Sequence, residues 1–98
     1  MTVREVHAIR LAETDDVAVV LEATREGDRV VVAGAGEAAD LVARQAIPQH
    51  HKVALVALVD GQEVRRGGVV IGTLTAGVAA GDYVHVHNLT SQRAKAAH

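Results

Sequence analysis

The chain has 98 residues, a length that fits one compact domain. Its formal net charge of −2 and its single aromatic residue, Tyr83, supply neither the clustered cations nor the stacking platform of a nucleic-acid surface. The absence of cysteine excludes disulfides, thiolate metal sites and cysteine nucleophiles. Residues 1–16 show no signal-peptide pattern, and no apolar run approaches the length of a membrane span. We therefore expect a cytoplasmic protein without nucleic-acid or membrane partners.

Short β-branched runs at close spacing predict an all-β domain. With 49% hydrophobic residues but one aromatic ring, the core must be built from valine, isoleucine, leucine and alanine. Many short strands favour a barrel or an irregular β fold over a βαβ sheet. The predicted strands are Val3–Ile9, Val17–Leu21, Arg29–Ala33, Val53–Leu58, Glu63–Arg65, Val69–Thr73 and Tyr83–Asn88.

A seven-residue pattern recurs along the chain and predicts a turn followed by a strand. It reads apolar residue or threonine, two variable residues, glycine, two variable residues, valine. Gly27, Gly61 and Gly81 are the glycines of three copies, because a tight turn favours the positive φ that glycine adopts freely. A fourth copy carries His50 at that position, which we interpret as incidental to function.

Two stretches do not fit the strand pattern. Residues 37–44 are alanine-rich, and their local propensity favours a helix. Residues 91–98 form a polar C-terminal tail that we expect to be frayed or helical.

A set of motifs along most of the chain resembles a known family. Its upstream member is Asp15-Asp16-Val17-Ala18-Val19. The others are Ile47-Pro48, His51-Lys52-Val53-Ala54-Leu55, Gly61-Gln62-Glu63-Val64, Gly68, Ile71-Gly72 and Gly81-Asp82-Tyr83-Val84-His85-Val86-His87-Asn88. In order and spacing this set is similar to the SAF domain of altronate and galactarate dehydratases and of the sulfolactate sulfo-lyase small subunit.

The resemblance implies a SAF-type β-clip of short bent hairpins over residues 1–90, with a strand instead of a helix near Leu41–Ala43. It also implies a function: the small subunit of a sugar-acid hydro-lyase, a carbon–oxygen lyase. The expected partners are a larger dehydratase subunit and a small polyhydroxy-acid substrate, and a homo-oligomer is allowed. A divalent metal, Fe²⁺ or Mn²⁺, is expected to be held mainly by the larger subunit.

His85 and His87 are the first candidate site. On the predicted strand they stand two residues apart, so both imidazoles would point to one face. Two imidazoles so placed can bind one metal ion or one carboxylate. The alternative is a pair of solvent-facing histidines with Val84 and Val86 packed beneath. The resemblance, which includes Asn88, favours the functional interpretation.

His51 and Lys52 form the second candidate site, and as neighbours on a strand they would point to opposite faces. A lysine can hold a carboxylate or act as a base when desolvated, and a histidine can shuttle a proton. Arg66 offers a guanidinium to a carboxylate, and Asp15 offers a carboxylate before a strand. Ordinary surface charge is the alternative for each. The predicted catalytic residues are His51, Lys52, His85 and His87, the last two also as metal ligands, and the predicted substrate-binding residues are Asp15, Arg66 and Asn88.

Four places depart from the family pattern and bear on the substrate more than on the fold. Ala12-Glu13 stands where the family has His-Pro, and Asp16 replaces asparagine. His50 replaces glycine, and Arg66-Gly67 stands where Lys-Tyr is usual. The choice between elimination of water and of sulfite stays open. The alternative function is a non-catalytic SAF module for binding, regulation or assembly.

Overall fold

A computed structural model describes residues 3–91, and within them it contains nine short strands and no helix. The predicted all-β class is therefore confirmed. No helix in this described part could cross a membrane. The strands are β1 (Glu5–Arg10), β2 (Val17–Val20), β3 (Arg29–Gly34), β4 (Ala39–Val42), β5 (Lys52–Ala54), β6 (Glu63–Arg66), β7 (Val69–Leu74), β8 (Tyr83–Val84) and β9 (Leu89–Ser91).

The strands form two sheets. Six of them lie in the order β4-β3-β1-β2-β5-β8, in which only β1 and β3 run parallel. The other three form an antiparallel sheet in the order β6-β7-β9. The six-stranded sheet curls until its two edges approach, since the Arg44 N–H after β4 donates to the Gly81 carbonyl before β8 at 2.9 Å.

Two hydrophobic cores share one wall of strands. Along β2, Val17 packs into the second core, whereas Ala18 and Val20 pack into the first. The same alternation continues in β5 and β8, because successive side chains of a strand point to opposite faces. The first core contains Val6, Ala8, Ala18, Val20, Val30, Val32, Ala43, Ile47 and Val53. The second core contains Val17, Ala54, Leu58, Val64, Leu74, Val78 and Val84.

The recurring sequence pattern forms four equivalent turns, as predicted. Each turn is closed by an N–H that donates to the carbonyl three residues earlier, as in the bond from Asp28 to Arg25 at 3.0 Å. The turn glycines have φ between 87° and 96°, and His50 takes the same place at φ 69°. His50 therefore completes the fourth turn and has a structural role. The turns are also paired, because Thr24 bridges to Ile47 and Leu58 to Val78.

The helix favoured by propensity over residues 37–44 was wrong, and the strand implied by the resemblance is present as β4. The hairpin with β3 overrides the local preference of alanine, since β4 pairs with β3 along its whole length. An ion pair from Arg29 Nη2 to Asp40 Oδ2 at 2.6 Å joins the two strands.

Two other boundaries differ from the sequence prediction. The strand predicted over Val53–Leu58 ends at Ala54, and the Leu55 N–H donates to the Asp16 carbonyl. The strand β9 was not predicted, and it includes Ser91, which was assigned to the polar tail. The remainder of that tail, residues 92–98, lies outside the described residues.

Candidate functional site

The segment from His85 to Asn88 is a turn, so the predicted strand Tyr83–Asn88 was wrong beyond Val84. The cause is Asn88, whose Oδ1 accepts the His85 N–H at 2.9 Å and whose Nδ2 donates to the Tyr83 carbonyl at 2.8 Å. These two hydrogen bonds to the asparagine side chain close the turn, and the backbone groups that they engage are no longer available for strand pairing. Val84 is fully buried as expected, but Val86 is 79% exposed at the tip of the turn.

The turn nevertheless brings the predicted histidines together, around Tyr83. The Tyr83 ring centroid lies 5.5 Å from that of His85, with the two planes nearly parallel at 12°, and 5.2 Å from that of His87. It lies 5.7 Å from the His51 ring, and the His51 and His85 centroids are 4.7 Å apart. We call His51, Tyr83, His85 and His87 the histidine cluster.

Strand register explains why His51 joins residues 34 positions away. The pairing of Lys52 with Val84 in the antiparallel β5–β8 ladder, continued by one residue, sets His51 opposite His85. Residues directly opposite each other on paired strands have neighbouring side chains. Tyr83 is the diagonal neighbour on the same face, beside the first core.

The fourth turn leaves the His51 side chain free for this cluster. In the other three turns the equivalent side chain accepts a backbone N–H from three residues earlier. Asp28 accepts from Arg25 at 2.7 Å, Gln62 from Val59 at 3.0 Å, and Asp82 from Ala79 at 2.7 Å. The fourth turn begins with Pro48, which has no N–H to donate. His51 Nδ1 lies instead 2.6 Å from Tyr83 Oη.

Lys52 lies on the opposite face of β5 from His51, as predicted. Its side chain is half-buried, and no hydrogen bond or ion pair within residues 3–91 engages its ammonium group. Burial lowers the pKa of Lys52, and the positive charge of Arg66 lowers it further. An anion placed beside this amine would offset the lost hydration of its protonated form and would raise its pKa again.

Burial also lowers the pKa of His85, and the charges of His51, Lys52 and His87 act in the same direction. His85 therefore favours the neutral form, with a nitrogen lone pair available. Burial raises the pKa of Tyr83, so the phenol keeps its proton at neutral pH.

Tyr83 is the residue of this cluster that the sequence prediction missed. The signal was present, since the only aromatic residue of the chain stands two positions before His85 in the last family motif. Its role depends on the β5–β8 register, which short strands do not reveal in advance.

Asp15 is buried, and its carboxylate serves the backbone of the β6–β7 hairpin. Oδ1 accepts the Gly68 N–H at 2.8 Å, and Oδ2 accepts those of Gly67 at 2.7 Å and Ala12 at 2.9 Å. Burial opposes ionisation of Asp15, but the backbone hydrogen bonds prevail and lower its pKa. This position offers a structural explanation for Asp15 where a substrate contact was predicted.

The remaining predicted residues divide between the surface and the framework. Arg66 is exposed at the end of β6, on the side of Lys52. Asn88 is buried, and both ends of its amide are engaged in the turn. Asp16, which replaces the family's asparagine, uses Oδ2 to accept the Arg65 N–H at 2.9 Å, a bond that an asparagine oxygen would also make.

The described residues do not by themselves fit the expected metal. No group of three or more histidine, aspartate or glutamate side chains within residues 3–91 is arranged to hold an ion. His85 and His87 would contribute two imidazoles at most, so an ion held by them would need further ligands from outside the described residues.

Two further surface features include none of the cluster residues. Shallow depressions run along β3 and β4 and are lined by Arg29 and Asp40. His7 is exposed on β1, and its Nδ1 lies 3.0 Å from Glu22 Oε1. His7 is thus an imidazole outside the cluster, suited to serve as a control.

Comparison with known proteins matches almost the whole chain to one family. Residues 6–92 match the model of the altronate/galactarate dehydratase SAF domain. The chain is also similar to altronate dehydratase of Escherichia coli (strain K12), with 36% identity over 80 residues. That alignment covers 82% of this chain and 15% of the relative, so the chain spans about 15% of the length of the curated protein it matches.

Proposed function

The chain belongs to the altronate/galactarate dehydratase SAF-domain family, and from this premise we propose that it is the small SAF subunit of a sugar-acid hydro-lyase. Its histidine cluster and Lys52, on opposite faces of the β5–β8 pair at the edge of the sheet, border an active site that a larger polypeptide completes. The enzyme class is a carbon–oxygen lyase, and the substrate class is a small polyhydroxy acid.

The observation that carries the proposal is a basic site without an acidic partner. Lys52 is half-buried and unpaired within residues 3–91, and the histidine cluster, on the opposite face of β5, contains no carboxylate. Burial disfavours the charged forms of Lys52 and His85 and lowers both pKa values, and the charge of Arg66 on Lys52 and of Lys52 on His85 acts in the same direction. The carboxylate of a sugar acid would relieve this arrangement, since an opposite charge stabilises the protonated lysine.

The residues meet part of the demands of the reaction, and the acid that protonates the leaving hydroxyl would come from the larger polypeptide. Elimination removes a proton next to a carboxylate and expels a hydroxyl group, so it needs a base, an acid and a positive charge near the enolate-like intermediate. The unprotonated His85 suits the base, and Lys52 suits the carboxylate. A divalent ion held mainly by the larger polypeptide would supply Lewis acidity. His85 and His87 are the ligands this chain would offer to such an ion; with its lone pair on the ion His85 could not also accept the proton, and the base would then come from the larger polypeptide.

Two features support a larger polypeptide as partner. The chain spans 15% of its E. coli relative, which therefore carries most of its mass outside this domain. The site is also open, with His87 exposed and Val86 projecting from the turn. Enclosing a polyhydroxy acid requires walls on several sides.

The test is subunit-dependent turnover. The larger dehydratase polypeptide of the same organism is assayed with altronate and galactarate, with and without this chain. We expect turnover to require the chain, and Lys52→Met and His85→Gln to lower kcat/KM at least about 100-fold. His7→Gln is the matched control and should leave the rate unchanged. Full activity of the larger polypeptide alone would refute the proposal, and binding without any effect on rate would favour the non-catalytic module.

A further inference from the structure

Both the backbone N–H and the backbone carbonyl of Tyr83 are hydrogen-bonded to side chains. Its N–H donates to Gln45 Oε1 at 2.8 Å, and its carbonyl accepts from Asn88 Nδ2 at 2.8 Å. The ring also stacks on His85. The phenol hydroxyl therefore has a defined direction, which ends 2.6 Å from His51 Nδ1.

A hydroxyl and an imidazole nitrogen at this distance form a hydrogen bond, and their relative basicities decide which of them is the donor. An unprotonated imidazole nitrogen is a much stronger base than a phenol oxygen, so the hydroxyl donates and Nδ1 accepts. A neutral imidazole carries one N–H. With Nδ1 occupied as an acceptor, that proton lies on Nε2.

We propose that Tyr83 is a positioning residue that fixes His51 in the Nε2–H tautomer. His51 then presents a hydrogen-bond donor to a ligand oxygen, and it is not the base of the site. His85 differs, because its side chain makes no hydrogen bond within residues 3–91 and its ring only packs against those of Tyr83 and His51. In the proposed enzyme, His51 thus donates from Nε2 to a carboxylate oxygen of the sugar acid. This role rests on the proposed function, whereas the tautomer does not.

The tautomer can be measured on the full, unmodified chain. Long-range ¹H–¹⁵N spectra of the ¹⁵N-labelled protein at neutral pH show which nitrogen of each imidazole carries the proton. We expect His51 to be protonated on Nε2 alone. Tyr83→Phe keeps the aromatic ring but removes the hydroxyl, so His51 should become a mixture of both tautomers. His7, which pairs with Glu22, should keep its signals, and unchanged amide resonances in β1–β3 would show that the variant is folded.

Two results would overturn the proposal: a proton on His51 Nδ1 in the unmodified chain, or an unaltered tautomer in Tyr83→Phe. In the reconstituted dehydratase, the same variant should lower kcat/KM roughly tenfold, the effect of losing one hydrogen bond. The spectra need neither substrate nor partner. A chain-independent turnover would therefore refute the proposed function while leaving the tautomer assignment intact.

Discussion

The half-buried amine of Lys52 makes the stability of the fold depend on pH. Its lowered pKa means that folding disfavours the protonated amine. The unfolded chain therefore binds more protons in the window between the folded pKa and the ordinary lysine value of about 10.4. The free energy of unfolding is therefore highest, as far as Lys52 is concerned, above that value, and it decreases as the pH falls through the window.

Lys52→Met should stabilise the fold at neutral pH, because it removes a desolvated cation from beside Arg66. We expect a gain of about 0.5–2 kcal/mol in the free energy of unfolding, measured by urea denaturation at pH 7. The gain should shrink when the measurement is repeated above pH 10.4 or so, where the wild-type amine is neutral. A loss of stability at pH 7 would mean that the ammonium group has a partner in the folded chain.

Asp15 makes the opposite case, a charged residue that the fold needs. Asp15→Asn replaces an acceptor oxygen by a donor that faces backbone N–H groups, and should cost about 2–3 kcal/mol of unfolding free energy. Since folding lowers its pKa, Asp15 stabilises above the unfolded value of about 3.9, and this stability is lost as the pH falls through the folded pKa. The free energy of unfolding, measured by denaturation at several pH values between 2 and 7, should thus depend less on pH in the variant than in the unmodified chain. Asp60→Asn, at an exposed turn, is the matched control.

At the scale of elements, the four turns are the units that repeat. Their geometry was predictable from the glycines, because each glycine marks a backbone conformation that other residues adopt only with strain. His50 accepts that strain at φ 69°. Gly81 has a second constraint, because a Cβ placed there would lie 2.1 Å from the Val42 carbonyl oxygen.

Substitutions in the turns should therefore differ in sign and size. His50→Gly should raise the free energy of unfolding by about 0.5–1 kcal/mol, as relief of strain exceeds the added freedom of the unfolded chain. Gly81→Ala should lower it by about 3 kcal/mol or more. Gly61→Ala isolates the backbone term at about 1 kcal/mol, since nothing lies within 4 Å of its added Cβ. Equal effects of the two alanine variants would contradict the close approach at Gly81.

The elements also show what sequence could and could not predict. Runs such as Val30 to Val32 fixed the strands to within a few residues, because β-branched side chains suit a pleated, half-buried surface. β4 was missed by propensity, because its pairing with β3 is a tertiary effect. The turn from His85 to Asn88 was missed because it depends on the hydrogen bonds of one side chain, that of Asn88, whereas the alternation of valine and histidine predicts a strand.

At the scale of the whole molecule, the shared wall of β2, β5 and β8 should couple the two cores. Val20 and Val64 lie in different cores and are both fully buried. Replacing either by alanine should cost about 2–3 kcal/mol and still leave one unfolding transition. Tyr83 fluorescence, which reports the edge of the first core, should shift with far-UV circular dichroism in both variants. If Val64→Ala moved only the dichroism signal, the cores would unfold separately.

Pro48 changes the hydrogen bonding of the turn that it begins. In three turns a polar side chain accepts one amide hydrogen, whereas the fourth turn lacks that hydrogen and its imidazole bonds to Tyr83 instead. A proline at the first position of such a turn thus releases the fourth side chain from the turn while the backbone keeps its shape. Val59, which begins the turn containing Gln62, is where a designer would install the same exchange to create a new polar group on this scaffold.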